Sequence, residues 1–209
     1  MATALITFTV HRMNPILTRA VLRACATLFI LVGAVHVGVA HAADAAAQKV
    51  PETPVGMLQD FDAQHGRWHT TVRRLLKPLQ GSQEWAEYEG TGIVHPLVGG
   101  RANVAELDVS GPRGRIQGVS VRLFDTSAQR WTIQFTNMAS GVLDPGISGG
   151  FAGSRHGVFY GADTFNGRPI LVRFVIDVID ARTVHFEQSF SANGGVDWEL
   201  NWVAVDKRV

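Results

Sequence analysis

The chain is poor in features that would cross-link it or anchor it in a membrane. It has one cysteine, Cys25, so no disulfide can form within it. No aspartate or glutamate precedes Asp44. The apolar run from Ala24 to Val39 is short for a hydrocarbon core of about 30 Å, and Gly33, His36 and Gly38 interrupt it. Neither a phosphate-binding Walker loop nor the glycine fingerprint of dinucleotide folds is present, so no nucleotide cofactor is expected. Charge is scarce as well: 18% of the 209 residues are charged, and the formal net charge is +1. Such a balance lacks the basic footprint that nucleic acid or an anionic membrane requires, so neither is expected as a partner. Internal repeats are missing too.

What is present begins with export chemistry. Arg12, Arg19 and Arg23 precede the apolar run, which ends at the small-x-small site Ala40-His41-Ala42. A positive flank, a short apolar centre and a small-residue exit predict a secretory signal peptide over residues 1–42, cleaved after Ala42. The protein is then expected to be periplasmic or secreted, with no stable membrane insertion after cleavage. Residues 13–42 already form a complete signal, so translation from Met13 would serve equally. Cys25 is not read as a lipoprotein cysteine, because the apolar run follows it. It leaves with the signal, and the remainder folds without disulfides. Residues 43–54 read as an Ala-rich, Pro-punctuated flexible leader, and residues 55–209 as one domain. A domain of this size buries about 68–70% of its unfolded surface, enough for a real core.

One helix candidate occurs, a short one between Val55 and Gln64. Beyond Gly66 the pattern is strands and turns: Trp68–Leu76, Gln83–Leu97, Arg101–Val109, Ile116–Phe124, Trp131–Met138, Phe151–Tyr160, Pro169–Val178, Thr183–Phe190 and Val196–Asp206. Asn193-Gly194-Gly195 is the strongest hairpin signal. Near-regular turns between short β-rich runs predict a sandwich or barrel and exclude βαβ units. Trp131, Ile133 and Phe135 alternate with polar residues, and so do Val184, Phe186 and Phe190, with Gln188 intruding. Trp198, Leu200 and Trp202 form a third set. A period of two places each set on one face of a sheet.

At Gly66-Arg67-Trp68 the chain resembles the lipocalins and the wider calycin superfamily. The resemblance implies that Gly66 and Trp68 open the first strand after a short helix, and that Trp68 plugs the closed end. It also implies a basic residue, Lys207 or Arg208, packed across that tryptophan. A broader resemblance spans nearly all of the chain after the signal. Gln83-Glu84-Trp85, Gly99-Gly100-Arg101-Ala102-Asn103, Val121–Asp125, Asp144-Pro145 and Asn193–Trp202 look like landmarks of a bacterial family of unknown function. Its members are often exported and are assigned calycin-like barrels. Val196-Asp197 departs from that family, which commonly has a threonine before the tryptophan. The expected fold is therefore all-β: a single antiparallel calycin-like (lipocalin-like) barrel with a short N-terminal helix. The resemblance implies no activity.

Candidate chemistry is sparse. Gly146-Ile147-Ser148-Gly149-Gly150 matches the Gly-x-Ser-x-Gly pattern of serine hydrolases, yet it sits in a glycine-rich loop with no helix after it, so it reads as a loop. That loop can form the mouth or lid of a cavity. His65 and His69 have helical ligand spacing, but Gly66 breaks the helix the spacing needs, and no metal site is expected. Glu84, Glu87, Glu89, Glu106 and Asp108 cluster on two strands. They read first as an outer face paired with Arg73, Arg74 or Arg101; were that face interior, one could become a general acid. Arg122, Arg173 and Gln188 interrupt apolar patterns. Read singly, each arginine points outward.

Three functions stay open. The favoured one is an exported barrel that binds a small apolar or aromatic molecule, lined by Trp131, Phe135, Phe186 and Trp202 with Gln188 orienting the guest. The second is an enzyme on the same scaffold using an internal acid/base pair, with Glu87 and Arg122 as candidates for catalysis. The third is a solid-core envelope protein that binds a partner. A cavity separates the first two from the third, and a carboxylate of raised pKa inside it speaks for the second.

Overall fold

The computed structural model describes residues 48–209; the expected signal peptide and the first residues of the expected leader lie outside the described residues. The chain enters past Gln48, whose side chain donates to the Pro169 carbonyl at 3.1 Å. Ten strands follow among the described residues: β1 Gly66–Leu75, β2 Trp85–Leu97, β3 Ala102–Gly111, β4 Gly114–Asp125, β5 Arg130–Asn137, β6 Ile147–Gly150, β7 His156–Phe165, β8 Arg168–Asp180, β9 Thr183–Ser191 and β10 Glu199–Arg208. Each is antiparallel to its sequence neighbour, and β1 pairs with β10, which closes the barrel. Closure leaves no free sheet edge.

The strands differ from the sequence expectation in number and in several boundaries. Ile147–Gly150, expected as loop, forms β6, a four-residue strand between β5 and β7. It is too short, and too rich in glycine, to show a periodic pattern. Phe151 consequently lies in a turn, and β7 starts only at His156. A two-residue hairpin turn stands at Asn166-Gly167, where both residues have positive φ (50° and 77°) and Phe165 pairs with Arg168. That is the geometry a two-residue primed turn demands. Asn193-Gly194-Gly195 belongs instead to a longer loop, in which Asn193 Oδ1 accepts from the Asp197 amide at 3.0 Å. A bulge at Asn201 separates Leu200, paired with Ser189, from Trp202, paired with Gln188. Adjacent β9 residues face opposite ways, so Leu200 and Trp202 do too. Trp198 precedes β10 altogether and stacks on the Arg173 guanidinium at 4.7 Å.

One end of the barrel is sealed. The expected short helix is a single 3₁₀ turn, Asp62–Gln64, and Gly66 (φ 114°) turns the chain into β1. Phe61, Trp68, Trp131, Phe151 and Phe159 pack there, each almost wholly buried. Trp68 donates its indole N–H to the Gln64 carbonyl at 2.7 Å. Arg208, not Lys207, lies across the Trp68 ring at 4.1 Å. The same guanidinium donates to the carbonyls of His65, Ala63 and Ala181 at 2.9, 2.6 and 3.0 Å. A strap over this end hydrogen-bonds through Gly56 N to Gln129 O and Ala152 N to Val55 O. The strap passes so close that a Cβ on Gly150 would stand 2.3 Å from the Gly56 Cα.

Trp68→Ala removes this plug and leaves Arg208 facing a void. It is expected to cost about 3–5 kcal/mol, as for large core aromatics. Equilibrium urea unfolding measures it; a loss within about 0.5 kcal/mol, as at ordinary surface sites, contradicts the plug role.

Candidate functional site

Above the sealed end the interior does not fill. Inward residues of β4, β5, β8, β9 and β10 surround a cavity of about 440 Å³. Phe135 of β5, Phe174 of β8, Phe186 of β9 and Trp202 of β10 supply its aromatic wall. Phe174 and Phe186 meet edge to face at 4.9 Å. Phe135 pairs with Ser120, and its ring lies over the diagonal position on β4, which is glycine: a Cβ on Gly118 would lie 2.3 Å from the Phe135 ring. Gln188 also lines the cavity, and its amide donates to Asn201 Oδ1 at 2.8 Å.

Two expected site residues lie elsewhere. Trp131 has no exposed surface and belongs to the sealed end, edge-on to Phe61 at 4.9 Å, with its indole N–H on the Met57 carbonyl at 2.8 Å. It shares a face with Phe135, but it sits lower in the barrel. Glu87 is on the outer face: its side chain is 80% exposed and lies 3.9 Å from Arg73. The barrel wall separates it from Arg122, so the proposed acid/base pair does not form. Its neighbour Glu89 is likewise outside, bonded to His69 at 2.7 Å. Ser148 lies in β6 with its hydroxyl 3.3 Å from that of Thr132 and no helix beside it, so the hydrolase-like pattern has no elbow.

Arg122, by contrast, points inward, against the outward reading. Its guanidinium covers the Phe61 ring at 4.6 Å and donates through Nη1 to Gln64 Oε1 at 3.0 Å. Its Nε has no partner, nor does the Nε2 of Gln64, a residue only 5% exposed. Burial lowers the guanidinium pKa to about 10, opposed by the charge of Asp206; the group stays cationic at neutral pH. Asp206 itself, inward on β10, accepts from the Thr70 hydroxyl at 2.5 Å. Its pKa is raised, because desolvation outweighs the Thr70 bond and the pull of Arg122. Arg122, Gln64, Thr70 and Asp206 thus make a polar floor under an apolar chamber. Asn103, opposite Arg122 on β3, is fully buried with neither amide atom partnered.

The far end is the mouth. Asn137, Asp144, Pro145, Asp163 and Phe165 line it, so the β5–β6 loop forms one rim. Burial raises the pKa of Asp144, and the charge of Asp163 adds to the rise. The sequence pattern placed none of Gln64, Thr70, Asp206 and these rim acids in the site; Asp144 entered only as part of the Asp144-Pro145 landmark. For Asp206 a signal existed: Trp202, Ala204 and Asp206 alternate along β10, and all line the cavity.

No protein-family model matches this sequence, and no curated protein matches it. Solved structures do. The S-type phycobiliprotein lyase CPES from Guillardia theta is similar with a TM-score of 0.51 at 10% identity, over 71% of this chain and 90% of that one. That likeness concerns the fold. EF1p2_mFAP2b, solved with DFHBI bound, aligns at a TM-score of 0.42 and 10% identity, over 74% of this chain and 100% of that one.

The raised pKa of Asp206 has a signed consequence. Its native carboxylate is harder to ionise than the unfolded one, so it weakens the fold at neutral pH. That penalty lifts as pH falls through the native pKa and is gone below the ordinary carboxylate value. The stability of wild type relative to Asp206→Asn should therefore rise between pH 7 and pH 4, read as a difference in urea midpoints. A difference independent of pH would contradict the buried, ionised state.

Proposed function

We propose that this is an exported barrel that binds a small apolar or aromatic molecule in its interior. The observation that carries the reading is the cavity of about 440 Å³, walled by Phe135, Phe174, Phe186 and Trp202 above a polar floor. Ligand sites are clefts of this size, mostly apolar with a few placed polar groups. The reading of a solid-core interaction protein loses its premise, since the interior is open. An enzyme remains the second reading, favoured by one observation: Asp206 and Asp144 line the cavity with raised pKa values. It ranks lower because the lining holds no histidine, cysteine, lysine or tyrosine to act with them.

Binding is tested with an environment-sensitive apolar dye, expected at about one per chain. Trp202→Ala should weaken it by about tenfold, in line with loss of a large aromatic contact. Replacing residues 139–146 with a short turn should change the dye's on and off rates more than the protein's stability. Failure of the dye to bind, or binding indifferent to Trp202, would count against an interior site.

Export belongs to the proposal through Arg12, Arg19, Arg23 and the Ala40-His41-Ala42 exit. Material recovered from outside the cytoplasm should begin at Ala43 and unfold at the same temperature with and without reductant. An uncleaved chain that pellets with membranes would overturn this part.

A further inference from the structure

We propose that the floor of the cavity is a carboxylate subsite, in which Arg122 and Gln64 receive the anionic head of an amphipathic guest whose apolar body lies against Phe135, Phe174 and Phe186. This rests on the interior-binding reading and adds the chemistry of the guest.

The argument starts from unmet hydrogen bonding. Buried polar groups are nearly always partnered, because an orphan donor costs its full desolvation. Here two adjacent side chains each keep one: Nε of Arg122 and Nε2 of Gln64. The Arg122 Nη1 bond to Gln64 Oε1 orients the amide, so that its NH₂ is the free end. Both residues line the cavity.

Charge narrows the guest further. A buried guanidinium ordinarily has a carboxylate beside it. Among the described residues none stands at ion-pair distance from Arg122. Asp206 feels its charge but bonds Thr70 instead. The Phe61 face supports the cation from below without meeting its N–H groups. A cation that lines the cavity with no acid at ion-pair distance, beside a second side chain with an unused donor, is a site for an anion once the two side chains turn those buried donors toward the cavity. Planar guanidinium and carboxylate suit each other in this way.

The other end of the cavity agrees. Asp144 and Asp163 line the mouth with no cation at ion-pair distance among the described residues, so they oppose an anionic head resting there, whereas the charge of Asp206 on the floor is set against that of Arg122. The aromatic wall between the two ends accepts only an apolar segment. The guest therefore enters head first, and its tail fills the chamber toward the β5–β6 rim.

The test compares matched acids and alcohols on the purified protein: decanoate against 1-decanol, and 2-naphthoate against 2-naphthalenemethanol, by calorimetry and tryptophan quenching. In at least one pair the acid should bind about tenfold or more tightly, equivalent to about 1.4 kcal/mol. Arg122→Met should reduce that preference to threefold or less while the alcohol still binds. Should Arg122→Met fail to fold, Arg122→Lys and Gln64→Leu should each lower the preference severalfold. Equal affinity for acid and alcohol would overturn the subsite while leaving an interior binding site standing. So would binding of the apolar dye with no binding of either acid. A preference that survives in Arg122→Met, or in both substitute variants, would overturn it as well. If neither dye nor pair binds, the cavity reading and the subsite fail together.

Discussion

The Arg208 guanidinium on the Trp68 indole, 4.1 Å from carbon to ring centre, joins the last strand to the first at the sealed end. Three backbone carbonyls from outside those strands accept from the same side chain. This one group therefore fixes the 3₁₀ turn, the β8–β9 turn and the plug together. Gln64 is held at the end of that turn, with its carbonyl on Trp68 and its amide on Arg122. The polar floor is thus an extension of the plug. Loosening the stack would move Gln64 and, with it, the orientation of Arg122 above it.

The two ends of the interior satisfy opposite demands. Below, aromatic rings meet edge to face around Phe61 at 4.9 and 5.6 Å, a dense arrangement that favours a unique fold. Above, Gly118 reduces the wall, and side chains stop short of the axis. The open volume forgoes burial that a filled barrel would gain. Unpartnered donors at the floor add to that loss. A protein carries such features where a site needs them, and the sealed end supplies the stability that lets it do so.

Much of the architecture was legible in the sequence, and much of the site was not. Period-two alternation identifies which face of β5 or β9 points inward, so Phe135 and Phe186 were recoverable. It does not give height along the axis. Trp131 and Phe135 share a face of one strand, yet one belongs to the plug and the other to the cavity; only register against β4 and β6 separates them. Trp85 is an aromatic residue that an apolar pattern alone would send inward. It shares its face of β2 with Glu87, and it lies on the outer face under Arg73 at 5.1 Å. Arg122 was read outward because a lone charge in an apolar strand usually is. Its partner Gln64 is 58 residues away, and no local pattern links the two. The bulge at Asn201 broke the Trp198–Leu200–Trp202 face by one inserted residue, which composition does not show.

Closure through β1 and β10 also sets the order in which the molecule can be assembled. Nine of its strand pairings are between sequence neighbours, while Thr70 must find Asp206 across 136 positions. Loop-closure entropy makes so distant a pairing slow relative to hairpins. Until the ten residues of β10 are available, a nascent chain therefore presents two raw sheet edges and an unroofed aromatic interior, both prone to aggregation. The same residues complete the seam, clamp the plug and bring Asp206 to the floor. Loss of the C-terminal strand would accordingly remove the container along with the site, leaving a sticky open sheet in place of a weakened binder.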